Sequence, residues 1–141
     1  MASYLADTSA WVHASRRHAP PELRELFSGL LVAGEIATCG PVKWELLHNT
    51  NNADEFRARR ADLDALDQTP VDESEWSRAL DICQGLAERS ALHRAVKLAD
   101  VLIAAAAERA GLTVLHYDKD FDRIAGVTEQ RCEWIAPKGS L

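Results

Sequence analysis

The chain has 141 residues, of which 47% are apolar and 27% charged. That length and balance describe one folded unit able to bury roughly two-thirds of its unfolded surface, and they exclude a disordered chain. Lys and Arg number 16 against 22 Asp and Glu, a formal net charge of −6; this excludes coating of nucleic acid or an anionic membrane by bulk charge, while leaving room for a local basic strip.

The opening run Ser3-Tyr4-Leu5-Ala6 reads as a buried strand ending at Asp7. Thr8 and Ser9 offer hydroxyls to cap a helix through Ala10, Trp11, Val12 and Ala14. Pro20-Pro21 stop that helix and start another, with Leu23, Leu26, Phe27, Leu30 and Leu31 at helical spacing and Gly34 at its end. Glu35 to Cys39 is a second strand candidate, and Gly40-Pro41 turn the chain into a helix carrying Val42, Trp44, Glu45, Leu46 and Leu47. Asn49 to Asn52 break it; Asp54 to Leu66 then predicts a charged helix with a thin apolar stripe of Phe56, Leu63 and Leu66.

Asp72 and Glu75 have capping-box spacing, and Trp76, Leu80, Cys83 and Ala87 mark what reads as the inner face of the helix that follows. Lys97 to Arg109 is helical, with Ala104 to Ala107 small enough for close packing and Gly111 as its stop. Thr113 to Tyr117 is a third strand, Phe121 to Ala125 a short helix, and Cys132 to Ile135 a fourth strand. The longest apolar stretch, Val101 to Ala107, is far short of the ~20 residues of a membrane span. No signal peptide is read, so a cytoplasmic location is expected. Cys39, Cys83 and Cys132 are far apart and form no C-x-x-C pair; reduced, mostly buried thiols are expected rather than disulfides or a zinc site.

Strands alternating with helices imply an α/β fold, a parallel sheet covered on both faces. Ligands in such sheets bind beyond the carboxyl ends of the strands, at the switch point. Four acids have apolar or strand-terminal surroundings: Asp7 after the first strand, Glu45 between Trp44 and Leu46, Asp100 within the apolar run around Val101, and Asp118 after Val114 to Tyr117, with Asp120 two residues on. Each alone has a plain reading as a cap, a turn residue or a surface charge. Gathered at one sheet edge, they repel: two carboxylates ~4 Å apart cost about 4 kcal/mol at an effective dielectric near 20. A cation relieves this, and oxygen-only ligands select a hard one, Mg²⁺ or Mn²⁺.

The runs Leu5-Ala6-Asp7-Thr8-Ser9-Ala10, Trp44-Glu45-Leu46-Leu47, Lys97-Leu98-Ala99-Asp100 with the apolar helix that follows, and His116-Tyr117-Asp118-Lys119-Asp120-Phe121 resemble the motifs of PIN-domain nucleases, in order and over essentially the whole chain. The likeness is greatest to the VapC-type toxins of bacterial toxin–antitoxin pairs. The resemblance implies a PIN-like three-layer α/β/α sandwich with a short, mostly parallel central sheet, formed by residues 1–141 as a single nuclease domain. It implies an endoribonuclease dependent on Mg²⁺, with Mn²⁺ able to substitute, a VapB-like antitoxin, a homodimer and no membrane partner. Asp7, Glu45, Asp100 and Asp118 are its catalytic and metal-binding acids, Asp120 is a further acid, and Thr8 or Ser9 is the hydroxyl residue that organises them.

The expected reaction is hydrolysis of RNA by a metal-activated water, with Asp7 and Asp100 holding the main ion and Glu45 or Asp118 accepting a proton. Arg16-Arg17-His18, Arg57-Arg59-Arg60, and Arg89, Arg94 and Lys97 are candidate RNA strips. Trp11 and Trp44 are read first as core residues and second as surfaces for an unpaired base. His13, His93 and His116 are read as polar core or surface groups. Competing readings are a PIN nuclease of RNA processing, a phosphate-handling enzyme with an acidic pocket, and a non-catalytic acidic interaction module.

Overall fold

The structure, a computed structural model, describes residues 2–141. Tyr4-Leu5-Ala6 forms β1, and alternation along the strands sends its side chains to opposite faces: Leu5 joins one apolar cluster and Ala6 the other. The same division separates Ala37 from Ile36 in β2 (Ile36–Cys39) and Val114 from Leu115 in β4 (Thr113–His116). With β3 (Asp67–Thr69) and β5 (Cys132–Trp134), these strands form one sheet in the order β3-β2-β1-β4-β5. Every pairing is parallel, with Tyr4 opposite both Ile36 and Thr113. The expected layering is present: α1 (Thr8–Ser15) and α2 (Pro21–Val32) cover one face. The other is covered by α3 (Gly40–His48), α5 (Glu73–Ala87), α6 (Leu98–Ala110) and α7 (Asp120–Ala125).

Helix α6 is the central piece of that second layer. Asp100 to Ala107 are buried without interruption, the signature of a helix enclosed on all sides rather than one lying on a surface. Its alanines let α5 and the sheet approach closely. Gly111 ends it with φ +70 and Gly34 follows α2 with φ +72, both in the left-handed region where a Cβ is costly. Among the described residues no helix is long and apolar enough to cross a membrane.

Four sequence expectations are corrected. The strand β3 was not anticipated, because Asp67-Gln68-Thr69 carries no apolar pattern; at the sheet edge, backbone pairing with β2 makes it a strand. The cap of α1 is not a hydroxyl: the Asp7 side chain accepts from the Ala10 N–H. The inner face of α5 is Glu75, Ala79, Ile82 and Leu86, whereas Trp76 and Leu80 are exposed. A pattern reading places Glu75 outside, yet its carboxylate accepts from the Asp72 N–H at 2.9 Å and from Arg109 Nη1 at 2.8 Å, which satisfies it inside. Trp11 packs edge-on to Phe27 as expected of a core residue, but Trp44 is 69% exposed and stacks on His48.

The helix α4 (Ala53–Asp64) is the least covered of the α-helices, with Leu63 its one buried residue. Cys39 is buried and Cys83 and Cys132 are half-buried, all as free thiols. Burial pushes the Cys39 thiol up to about 11 and that of Cys132 up to about 12, so neither is a nucleophile near neutral pH.

Replacing Glu75 by Ala removes the capping-box bond and strands the Asp72 N–H. An equilibrium urea titration is expected to give a loss of about 2 kcal/mol. An unchanged midpoint would show that the buried carboxylate is not what sets the face of α5.

Candidate metal centre

Sheet order places the switch point between β1 and β4, whose continuations leave in opposite directions at their carboxyl ends. Asp7 stands directly after β1, and Asp118 lies two residues past β4. Asp120 opens α7, and Asp100 lies in the first turn of α6, where the helix dipole favours a negative charge. Asp100, Asp118 and Asp120 each offer an oxygen within 4.8 Å of the other two. Asp7 borders this trio, its charge raising the pKa of Asp100 and that of Asp118 raising its own. Glu45 is not among the three; it reaches the group from α3 through Thr8, whose hydroxyl donates to Glu45 Oε1 at 2.7 Å.

Three consecutive residues organise this edge. Ser9 Oγ donates to Asp7 Oδ1 at 2.7 Å and accepts from the Tyr117 N–H at 2.8 Å, joining the ends of β1 and β4. The Ala10 N–H also donates to Asp7 Oδ1, at 3.1 Å, which leaves Oδ2 as the oxygen available to a cation. Thr8 holds Glu45, so the two hydroxyls each serve a different acid. On the far side, the Asp120 N–H donates to Asp118 Oδ1 at 2.9 Å, and Arg123 Nη1 donates to Asp120 Oδ1 at 2.7 Å.

Electrostatics record the crowding. Burial pushes the Asp7 carboxyl up to about 6, against the opposing pull of the Ser9 hydroxyl. Burial, then the charges of Asp118, Asp7 and Asp120, push Asp100 up to about 7. Asp100 Oδ2 is fully buried and has no hydrogen-bond partner. Such an oxygen costs about 1–3 kcal/mol unless something satisfies it. The nearby cations are few: Arg123 on Asp120 and, more distantly, Lys97, which lowers Asp100 only slightly against the other causes. An orphaned buried carboxylate oxygen within an all-oxygen donor set is the arrangement a hard divalent ion completes, so the residues fit such an ion.

Two supporting residues were not singled out for this role from the sequence. His116 is fully buried against Phe121 and Trp134, and its Nδ1 accepts from the Asp118 N–H at 3.1 Å. Burial pushes it down to about 4, so it is a neutral acceptor positioning the Asp118 loop. Its place two residues before Asp118 was the available signal. Arg123, three residues after Asp120, follows helical spacing for an ion pair.

A model of the PIN domain matches residues 4–127. The chain belongs to the PIN-domain family. Among curated PIN relatives, ribonuclease VapC18 of Mycobacterium tuberculosis is 42% identical over 139 residues, covering 98% of each chain. Ribonuclease VapC51 of the same organism is 41% identical over 138 residues, covering 98% of this chain and 96% of its own. Among solved structures, DNA-bound VapBC from Salmonella typhimurium shares the PIN fold with a TM-score of 0.71 at 18% identity, over 96% of this chain and 100% of that one.

A carboxyl whose pKa is higher in the folded than in the unfolded chain stabilises the fold while protonated. That contribution is complete below about pH 4 and is lost as pH climbs through about 6 for Asp7 and about 7 for Asp100. The metal-free PIN domain is therefore expected to lose thermal stability through this window, and Asp100→Asn to reduce the loss. Calorimetric melts of both proteins from pH 4 to about 8 check this; parallel curves would contradict the burial of Asp100.

Proposed function

We propose that this PIN-domain chain, residues 1–141 acting as one nuclease domain, is the endoribonuclease toxin of a VapBC toxin–antitoxin pair. The observation that carries the reading is the trio Asp100, Asp118 and Asp120, one of whose members, Asp100, has a buried Oδ2 without a hydrogen-bond partner. It lies at the switch point of a chain 42% identical to a curated VapC ribonuclease. The partners are RNA as substrate, a VapB-like antitoxin, and a second copy of the chain in a homodimer. The VapBC complexes among its structural neighbours support the antitoxin. The location is the cytoplasm, where RNA and antitoxin are met.

When bound, Mg²⁺, which Mn²⁺ can replace, supplies Lewis acidity to a phosphodiester and offsets its developing negative charge. Asp7 and Asp100 would be the principal residues holding the ion, with Asp118 and Asp120 beside them. Ser9 orients Asp7 by bonding Oδ1, and Arg123 orients Asp120 in the same way. Glu45, held by Thr8, and Asp118 are the acceptors for the proton of the attacking water. Hydrolysis by this route uses no 2′-hydroxyl nucleophile, so it leaves 5′-phosphate and 3′-hydroxyl ends.

The test is cleavage of total bacterial RNA with Mg²⁺, with Mn²⁺ and with chelator, followed by sequencing of the new ends. Wild-type protein is expected to cut only with a divalent ion. Asp7→Asn and Asp100→Asn are expected to lose at least about a hundredfold in rate while melting cooperatively. Cleavage by Asp100→Asn at the wild-type rate, or 2′,3′-cyclic phosphate ends, would overturn the assignment.

A further inference from the structure

The loop that joins α1 to α2 opens a cleft of about 500 Å³, lined by His13, Arg16, Arg17 and His18 with Ser140 and Leu141. No Asp or Glu side chain lines it, the α-carboxyl group of Leu141 being the one negative group there, an unusual surface on a chain with a net charge of −6. The side chains of Arg16 and Arg17 make no ion pair or hydrogen bond among the described residues, a state they share with Arg59, Arg89, Arg94 and Arg131; what sets them apart is that they are adjacent and line one cleft without an acidic side chain. Their backbone is nonetheless fixed: Arg24 Nη2 donates to the Arg16 carbonyl at 2.7 Å and to that of Arg17. A built loop thus presents two free guanidinium groups, the group best matched to a phosphodiester.

Tyr117 links the cleft to the acidic edge. Tyr117, next to Asp118, packs edge-on to His13 with ring centroids 4.5 Å apart, and its hydroxyl accepts from the Leu141 N–H at 2.9 Å. Along α1, Ser9 serves the acids and His13 lies one turn further on, before Arg16 caps the helix. At 1.5 Å per residue, Asp7 and Arg16 are ~14 Å apart along the helix. Burial and Arg16 both lower the pKa of His13; its ring and that of Tyr117, inclined at 60° to each other, form an aromatic ridge between the acids and the arginines.

We infer that Arg16 and Arg17 form a phosphate site for the backbone of single-stranded RNA, holding the strand about one helix length from the scissile bond, with His13 and Tyr117 as the surface it crosses. This rests on the nuclease reading and adds the path of the substrate. The link through Tyr117, next to Asp118, favours RNA over an acidic protein, since a strand engaged at the acids has to leave the centre along a neighbouring surface and this one carries the opposite charge.

The test is the Arg16→Ala/Arg17→Ala double variant, assayed on a labelled single-stranded RNA oligonucleotide across a salt series. KM is expected to rise about tenfold, with the larger share of the loss in KM rather than kcat. The dependence of log KM on log salt is expected to flatten by about 1.4, two contacts at ~0.7 each. Arg16→Lys/Arg17→Lys, which keeps the charge, is expected to retain most of the salt slope and guards against a folding artefact. A cooperatively melting alanine variant with wild-type KM and slope overturns the inference, whether or not it loses an acidic protein partner. A wild-type chain that cuts no RNA with either ion would instead sink the nuclease reading. Fluorescence polarisation of the same oligonucleotide, wild type against double variant, then decides the cleft on its own.

Discussion

Carboxylates that share a space poor in water repel one another, and the remaining features of the functional edge follow from managing that repulsion. Oxygens of Asp100, Asp118 and Asp120 within 4.8 Å of one another imply pairwise costs of at least about 3.5 kcal/mol between ionised groups at an effective dielectric near 20. Asp7 adds a fourth charge at the border. The fold meets this cost in part with local donors: the Ser9 hydroxyl, the Ala10 and Asp120 amides, and Arg123. What these donors do not cover is left to protons or to a cation, and the raised pKa values of Asp7 and Asp100 are the proton side of that competition.

The scaffold is consistent with this division of labour. A parallel sheet directs its strand ends to one edge, and helix amino termini gather there as well. Asp100 is carried to the edge by α6, whose burial from Asp100 to Ala107 fixes it against sliding. Stability and chemistry pull in opposite directions at that residue: the packing that anchors the helix is also what removes water from its carboxylate.

Much of this was legible in the sequence, in proportion to how local the cause was. The capping box at Asp72 and Glu75, the glycine stops at Gly34 and Gly111 and the strand-end acids follow from short-range chemistry and read correctly. The layered parallel sheet followed from the alternation of elements. The failures share a non-local origin. Strand β3 exists because β2 needs an edge partner; the face of α5 is set by Arg109, 34 residues from Glu75; and Trp44 lies outside because nothing packs over α3 there. At the site, the residues of the acid cluster could be named from the sequence. Their spacing could not, so the placing of Asp120 within the tightest trio and of Glu45 beyond it required coordinates.

The tripeptide Asp7-Thr8-Ser9 connects three separate parts of the fold: Asp7 caps α1, Thr8 reaches α3, and Ser9 clasps the end of β4. Successive helical residues point about 100° apart, so these errands depend on each residue keeping its angular station. One residue gained or lost between Ala6 and Ala10 would swing every hydroxyl toward a wrong neighbour. A side-chain exchange in this turn would alter one donor at a time, but an indel here would disconnect the strand, the helix and the clasp together.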